Sequence, residues 1–184
     1  MPLSLETLSA NSTVLARLGA LDVSFEPDDE PLFAIDGVET PRQFGSDGSG
    51  GVFVLLPSDE VLYVATEGRT GIIAETFEAF VQLVVACPYW LDVLKFSAGG
   101  DLAEMRRAAA ALETTLDDED DVNEARDEIR AALRLAAPDD PIGALYEAVA
   151  ASDAVVRATD GCPFTTLFNR FSIDNNPMLR DAAA

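Results

Sequence analysis

Histidine is absent from the 184 residues, lysine occurs once as Lys95, and there are only two cysteines and one tryptophan. The missing imidazole removes the usual neutral-pH acid–base group and the commonest metal ligand. It also leaves Cys87 and Cys162 without the partner that activates a catalytic thiol. Each cysteine directly precedes a proline, the two stand far apart, and no Cys-x-x-Cys spacing exists. Zinc and thiol-redox chemistry are therefore not signalled, and two buried free thiols are expected rather than a disulfide. Long apolar runs are missing too. The longest uncharged stretch, 79–91, is too short to span a bilayer and contains Pro88. No base precedes Arg17, which is wrong for a secretory signal, so the expected location is the cytoplasm. Positive charge is scarce: 12 Lys+Arg stand against 33 Asp+Glu, a formal charge of −21. DNA, RNA and anionic membranes would be repelled by such a chain.

What is present is enough apolar material for a core. Hydrophobic residues make up 48% and mean hydropathy is +0.13, which argues against a disordered chain and suits one domain with an appendage. The acids are spread evenly, 15 in residues 1–100 and 18 in 101–184, with knots at 28–30 and 117–121. That balance fits a basic partner steered at long range, and equally fits adaptation to salt.

Residues 1–20 read as a weak helix and 22–26 as a strand. Apolar runs at 32–35, 52–56, 61–65 and 72–74 read as short strands; 52–56 and 61–65 are apolar on nearly every residue and closely spaced, as in an antiparallel pair covered on both faces. Ahead of 52–56 lies Gln43-Phe44-Gly45-Ser46-Asp47-Gly48-Ser49-Gly50-Gly51, read as a glycine-rich connection. A phosphate-loop reading of it fails, because no Lys-Ser/Thr follows and no strand–loop–helix context exists. Thr76 caps a helix with Phe77, Phe80, Val81, Val84 and Val85 on one face, ended by Pro88; a short helical segment with Trp90 as a core anchor follows. Ser97-Ala98-Gly99-Gly100 marks a boundary. Beyond it, Asp101 opens a helix with a seam at Leu102, Met105, Ala109, Leu112 and Leu116. A second helix starts near Asp121, with Ala125, Ile129, Leu133 and Ala136 inward, and Asp140-Pro141 caps a third. Phe164, Leu167, Phe168 and Phe171 suggest one more apolar helical face over 162–173. Order is expected to end at Asn175-Asn176-Pro177, with 177–184 a frayed tail.

No catalytic constellation stands out. Gly-x-Ser-x-Gly and the calcium-loop pattern are both missing, and with 33 carboxylates a hydrolytic pair cannot be picked by spacing. No catalytic residue, metal ligand or cofactor is expected.

One stretch does carry a likeness. Phe44 through Phe53, the strand Val61-Leu62-Tyr63-Val64, the pair Glu67-Gly68, and Ile73-Ala74-Glu75-Thr76-Phe77-Glu78-Ala79-Phe80 succeed one another as glycine loop, strand, strand, turn and a helix with Phe-x-x-Phe. Over about residues 32–95 this resembles the SUKH superfamily, the group of Smi/Knr-type cell-wall regulators and many bacterial immunity proteins. The resemblance implies an α+β fold, an antiparallel or mixed sheet covered by helices, over 1–98. Residues 99–176 fall outside it as a helical extension packed on that domain. It also implies binding rather than catalysis, since bacterial relatives commonly neutralise a toxin, often a nuclease. The leading expectation is an immunity protein that occludes a basic toxin domain, with Asp28, Asp29, Glu30, Asp47, Asp59 and Glu60 as contact candidates. A scaffold docking through the C-terminal helices and a carboxylate hydrolase are the alternatives.

Overall fold

The computed structural model describes residues 3–25, 32–116 and 120–182. Ser4 and Asn11 cap two short helices, α1 (Leu5–Ser9) and α2 (Ser12–Gly19), accepting from the N–H groups of Thr7 and Val14. Five strands follow: β1 (Phe33–Ile35), β2 (Arg42–Ser46), β3 (Val52–Leu55), β4 (Val61–Val64) and β5 (Arg69–Ala74). Then come α3 (Phe77–Ala86), α4 (Trp90–Lys95), α5 (Leu102–Leu116), α6 (Asp120–Leu133) and α7 (Pro141–Ala151). The chain closes with β6 (Val156–Ala158), β7 (Thr165–Thr166), a 3₁₀ turn at Ile173–Asn175 and α8 (Pro177–Ala182).

The fold is α+β. The main sheet has the order β2-β3-β4-β5-β7; β2 to β5 form an antiparallel meander and β7 joins β5 in parallel, so the sheet is mixed. Side chains of a strand alternate between faces, and here both faces are covered. On one face Phe44, Phe53, Val61 and Tyr63 meet Phe77, Phe80 and Trp90 of α3 and α4. Ring centroids lie 4.9 Å apart for Phe53–Phe80 and 5.0 Å for the edge-on Tyr63–Trp90 pair. On the other face Val54, Leu62, Val64 and Ile72 pack under an antiparallel ribbon of β1 and β6, through Ile35 and Val156, and under Ala148 of α7. Residues 99–176 share the first core: Met105 and Ala108 of α5, Ile129 of α6 and Leu145 of α7 belong to the same buried cluster as Phe80 and Val84.

The boundary at 97–100 is a sharp reversal. Ala98, Gly99 and Gly100 all have positive φ (49°, 86° and 98°), and the reversal is tied to the C-terminal segment by Ala98 N–H to Phe171 O (2.8 Å) and Gly99 N–H to Asn169 O (2.7 Å). Thr76, Asp101 and Asp140 cap their helices as expected, and Pro141 occupies the first turn of α7.

Several expectations are corrected. Residues 42–46 are a strand and not part of a connection; Gly45 is needed there because a Cβ would lie 2.2 Å from the Ser24 carbonyl oxygen. Of the strand expected over 22–26, a single bridge between Ser24 and Ser46 forms, and Glu26 lies outside the described residues. Residues 162–172 are not helical: a two-residue strand at 165–166 interrupts irregular chain, and Ile173 opens the 3₁₀ turn. Gly161 has φ +86°, Pro163 cannot donate to a helix, and the aromatic spacing serves different surfaces: Phe164 joins the ribbon cluster while Leu167 enters the main core. Ala136 is exposed. Both thiols are free, but only Cys87 is buried; Cys162 is exposed. The tail is not frayed over 177–182: α8 forms there, with Leu179 6% exposed against the core.

Candidate interaction surface

Most of the scarce positive charge is used within the molecule. Among the described residues at least eight of the twelve bases stand in ion pairs, among them Arg17–Glu128 (2.5 Å), Arg42–Glu6 (2.6 Å), Arg106–Asp140 (2.6 Å) and Arg157–Asp36 (3.1 Å). A ninth, Arg69, donates to the carbonyls of Thr166 and Phe168. The pairs join different elements, α2 to α6, β2 to α1, α5 to the N-cap of α7 and β6 to the β1 end, and the acids outnumber the bases by 21. The exterior is therefore electronegative.

Asp47, Asp59 and Glu60 are not brought together. The β2–β3 turn that carries Asp47 and the β3–β4 turn that carries Asp59 and Glu60 lie at opposite ends of β3. Asp47 is committed to the interior of its own loop. Its Oδ1 accepts from the N–H and hydroxyl of Ser49 and the N–H of Gly51, and its Oδ2 accepts from the Tyr63 hydroxyl at 2.5 Å. Burial first, and then that carboxylate, push the Tyr63 phenol well above its ordinary range. The glycine loop is thus a lid over a buried tyrosine. A Cβ at Gly51 would lie 2.0 Å from the Tyr63 hydroxyl oxygen, and Gly50 supplies a φ of +85°. Asp59 is exposed at the tip of its turn with φ 76°, and Glu60 accepts from Ser58 Oγ at 2.5 Å. Asp28, Asp29 and Glu30 lie outside the described residues.

A charged cluster around the one buried arginine among the described residues lies outside the expectations from sequence. Arg126, 8% exposed, reaches from α6 to the C-terminal end of α3. Its Nε donates to Val85 O (3.0 Å), Nη2 to Ala86 O (2.9 Å) and Nη1 to Glu113 Oε1 (2.8 Å). The Tyr89 hydroxyl donates to the other oxygen of Glu113. Burial alone would raise the Glu113 pKa, but Tyr89 and Arg126 outweigh it and hold the carboxyl below its usual value. Burial pushes the nearby Cys87 thiol up, which disfavours the thiolate. The cluster supplies donors to the carbonyls at a helix end and contains no activated nucleophile. Its sequence signal was an arginine set between Ala125 and Ile129 on the inward stripe of α6.

Clefts lined by described residues open at the surface. One, of about 160 Å³, lies where α7 crosses β5 beside α3 and has Glu75 and Glu147 among its lining residues. A second, of about 280 Å³, lies between the β4–β5 turn and α4, with Arg69, Lys95, Glu67 and Asp92. A third, of about 430 Å³, runs between α2 and α6 beside the Arg17–Glu128 pair. Among the described residues no group of three or more Cys, Asp or Glu is placed to hold a metal ion, and no helix is long and apolar enough to cross a membrane. No protein-family model, curated protein or solved structure matches the chain.

Proposed function

We propose that the chain is a non-enzymatic protein-binding module of SUKH type, an immunity protein that occludes a basic toxin domain. The observation that carries this reading is the disposition of charge. With most bases consumed in ion pairs inside a −21 chain, the unpaired carboxylates form an exterior suited to a cationic protein surface. Such a field raises the encounter rate and disfavours acidic partners, while apolar anchors set the residence time. The resemblance of residues 32–95 to SUKH domains supports the same reading, and in this reading the module acts in the cytoplasm. Occlusion of a nuclease by an acidic protein needs no turnover, in keeping with a polar centre that serves a helix end.

The experiment is capture of a purified basic toxin domain encoded beside the gene. Binding is expected to be tight at low salt, to slow in association as salt rises, and to block the toxin's access to nucleic acid. A partner with an acidic contact surface, or association indifferent to salt, overturns the reading.

A further inference from the structure

The cleft between α3 and α7 combines features that select one kind of side chain. Its lining is largely apolar, with the buried side chains of Ile73, Leu83 and Leu145 as its floor and Gln82 as a further polar group. Glu75 and Glu147 are exposed on its lining, neither stands in an ion pair among the described residues, and no Lys or Arg lines the cleft. Its volume of about 160 Å³ far exceeds the ~10–15 Å³ that holds one water. It falls short of the roughly 300–1,000 Å³ typical of cofactor and drug-sized ligand sites. The space suits a single long side chain.

The walls are fixed in advance. Thr76 caps α3 by accepting from Ala79 N–H, and Asp140 caps α7 by accepting from Gly143 N–H (2.9 Å). The other oxygen of Asp140 is taken by Arg106, and Ser152 at the far end of α7 accepts from Ile72 N–H of β5 (3.1 Å). A preformed cleft avoids much of the ordering cost of association.

We propose that this cleft receives an arginine side chain from a protein partner, its methylene stem on the apolar floor and its guanidinium on the carboxylates of Glu75 and Glu147. Arginine fits better than lysine because its planar fork matches carboxylate geometry and is less strongly hydrated. The inference rests on the reading of the chain as a protein-binding module, and it names the face and the anchor that module uses.

The test titrates isotope-labelled protein with Nα-acetyl-arginine amide, with the norleucine analogue as an uncharged control, and follows backbone amide shifts. Shifts concentrated at residues 73–83 and 144–147, with the arginine probe favoured over norleucine, are expected. The Glu75→Gln/Glu147→Gln variant, altered only at exposed positions, should keep the wild-type spectrum elsewhere and lose about fivefold or more in affinity for the probe, about 1 kcal/mol at 1.4 kcal/mol per tenfold. Arginine shifts spread over the outer face of α6 or the β3–β4 turn, or undiminished in the double variant, overturn the proposal. The two readings fail separately. A toxin domain captured equally by wild type and double variant removes this anchor and leaves the binding function standing. An arginine probe seated in the cleft, with no capture of any co-encoded basic domain, removes the immunity reading and leaves the cleft.

Discussion

Arg126 and Glu113 join the helical C-terminal half to the end of α3, and each makes a distinct prediction. Replacing Arg126 by Met leaves the carbonyls of Val85 and Ala86 and one oxygen of Glu113 without their donor. Breaking a buried pair costs about 3–5 kcal/mol, and the low end applies because Glu113 is partly in solvent. Urea unfolding should show the midpoint fall with little change in slope. Glu113 adds a pH dependence. Its folded pKa lies below the unfolded value, so its contribution is fully present above about pH 4.3 and is lost as pH falls through the folded value. The stability gap between wild type and Glu113→Gln, measured from pH 7 downward, should therefore hold to about pH 4 and close below it. Gly51 is the third residue with a sharp expectation. Gly51→Ala drives a methyl into the Tyr63 hydroxyl and should cost about 1–3 kcal/mol. Combining it with Tyr63→Phe should recover part of that loss, read as a coupling in a double-mutant cycle.

Among the elements, α8 shows how a short C-terminal segment becomes structural. It packs on α5; Leu179 is buried there, while Met178 is 80% exposed. Leu179→Ala should cost about 2–3 kcal/mol and Met178→Ser almost nothing, in thermal or urea unfolding of the full chain. The local code of α3, α5 and α7 was legible in the sequence because caps and apolar stripes lie within one segment: Thr76 with Phe77 and Phe80, Asp101 with Met105, Asp140 with Leu145. That of β2 and 162–173 was not. Gly45 depresses strand propensity, yet it is required by the Ser24 backbone lying over it, and the aromatics after Cys162 are divided between two surfaces that only tertiary contacts define.

At the scale of the whole molecule, charge dominates. A net −21 on 184 residues, with the bases dispersed in internal pairs, implies repulsion among the surplus carboxylates. Raising salt from about 0.01 M to about 0.5 M, where the Debye length drops from ~30 Å to well under 10 Å, should raise the melting temperature. The same series should slow association with a basic partner. A melting temperature that falls with salt would mean that the ion pairs outweigh the repulsion.

The sequence alone determined the charge, the absence of imidazole chemistry, the two-sided strand pair and the capped helices, since each depends on composition or on residues a few positions apart. Tertiary structure decided what those parts do together. It turned Asp47 inward onto Tyr63 sixteen residues away and set it at the opposite end of β3 from Asp59 and Glu60. It carried Arg126 to carbonyls forty and more positions back. It brought Glu75 and Glu147 to one cleft by laying α7 across β5. The reason is that a carboxylate or a guanidinium acts through what lies within a few ångströms, and for these residues the neighbours that decide the role, the Tyr63 hydroxyl and the carbonyls of Val85 and Ala86, come from distant parts of the chain.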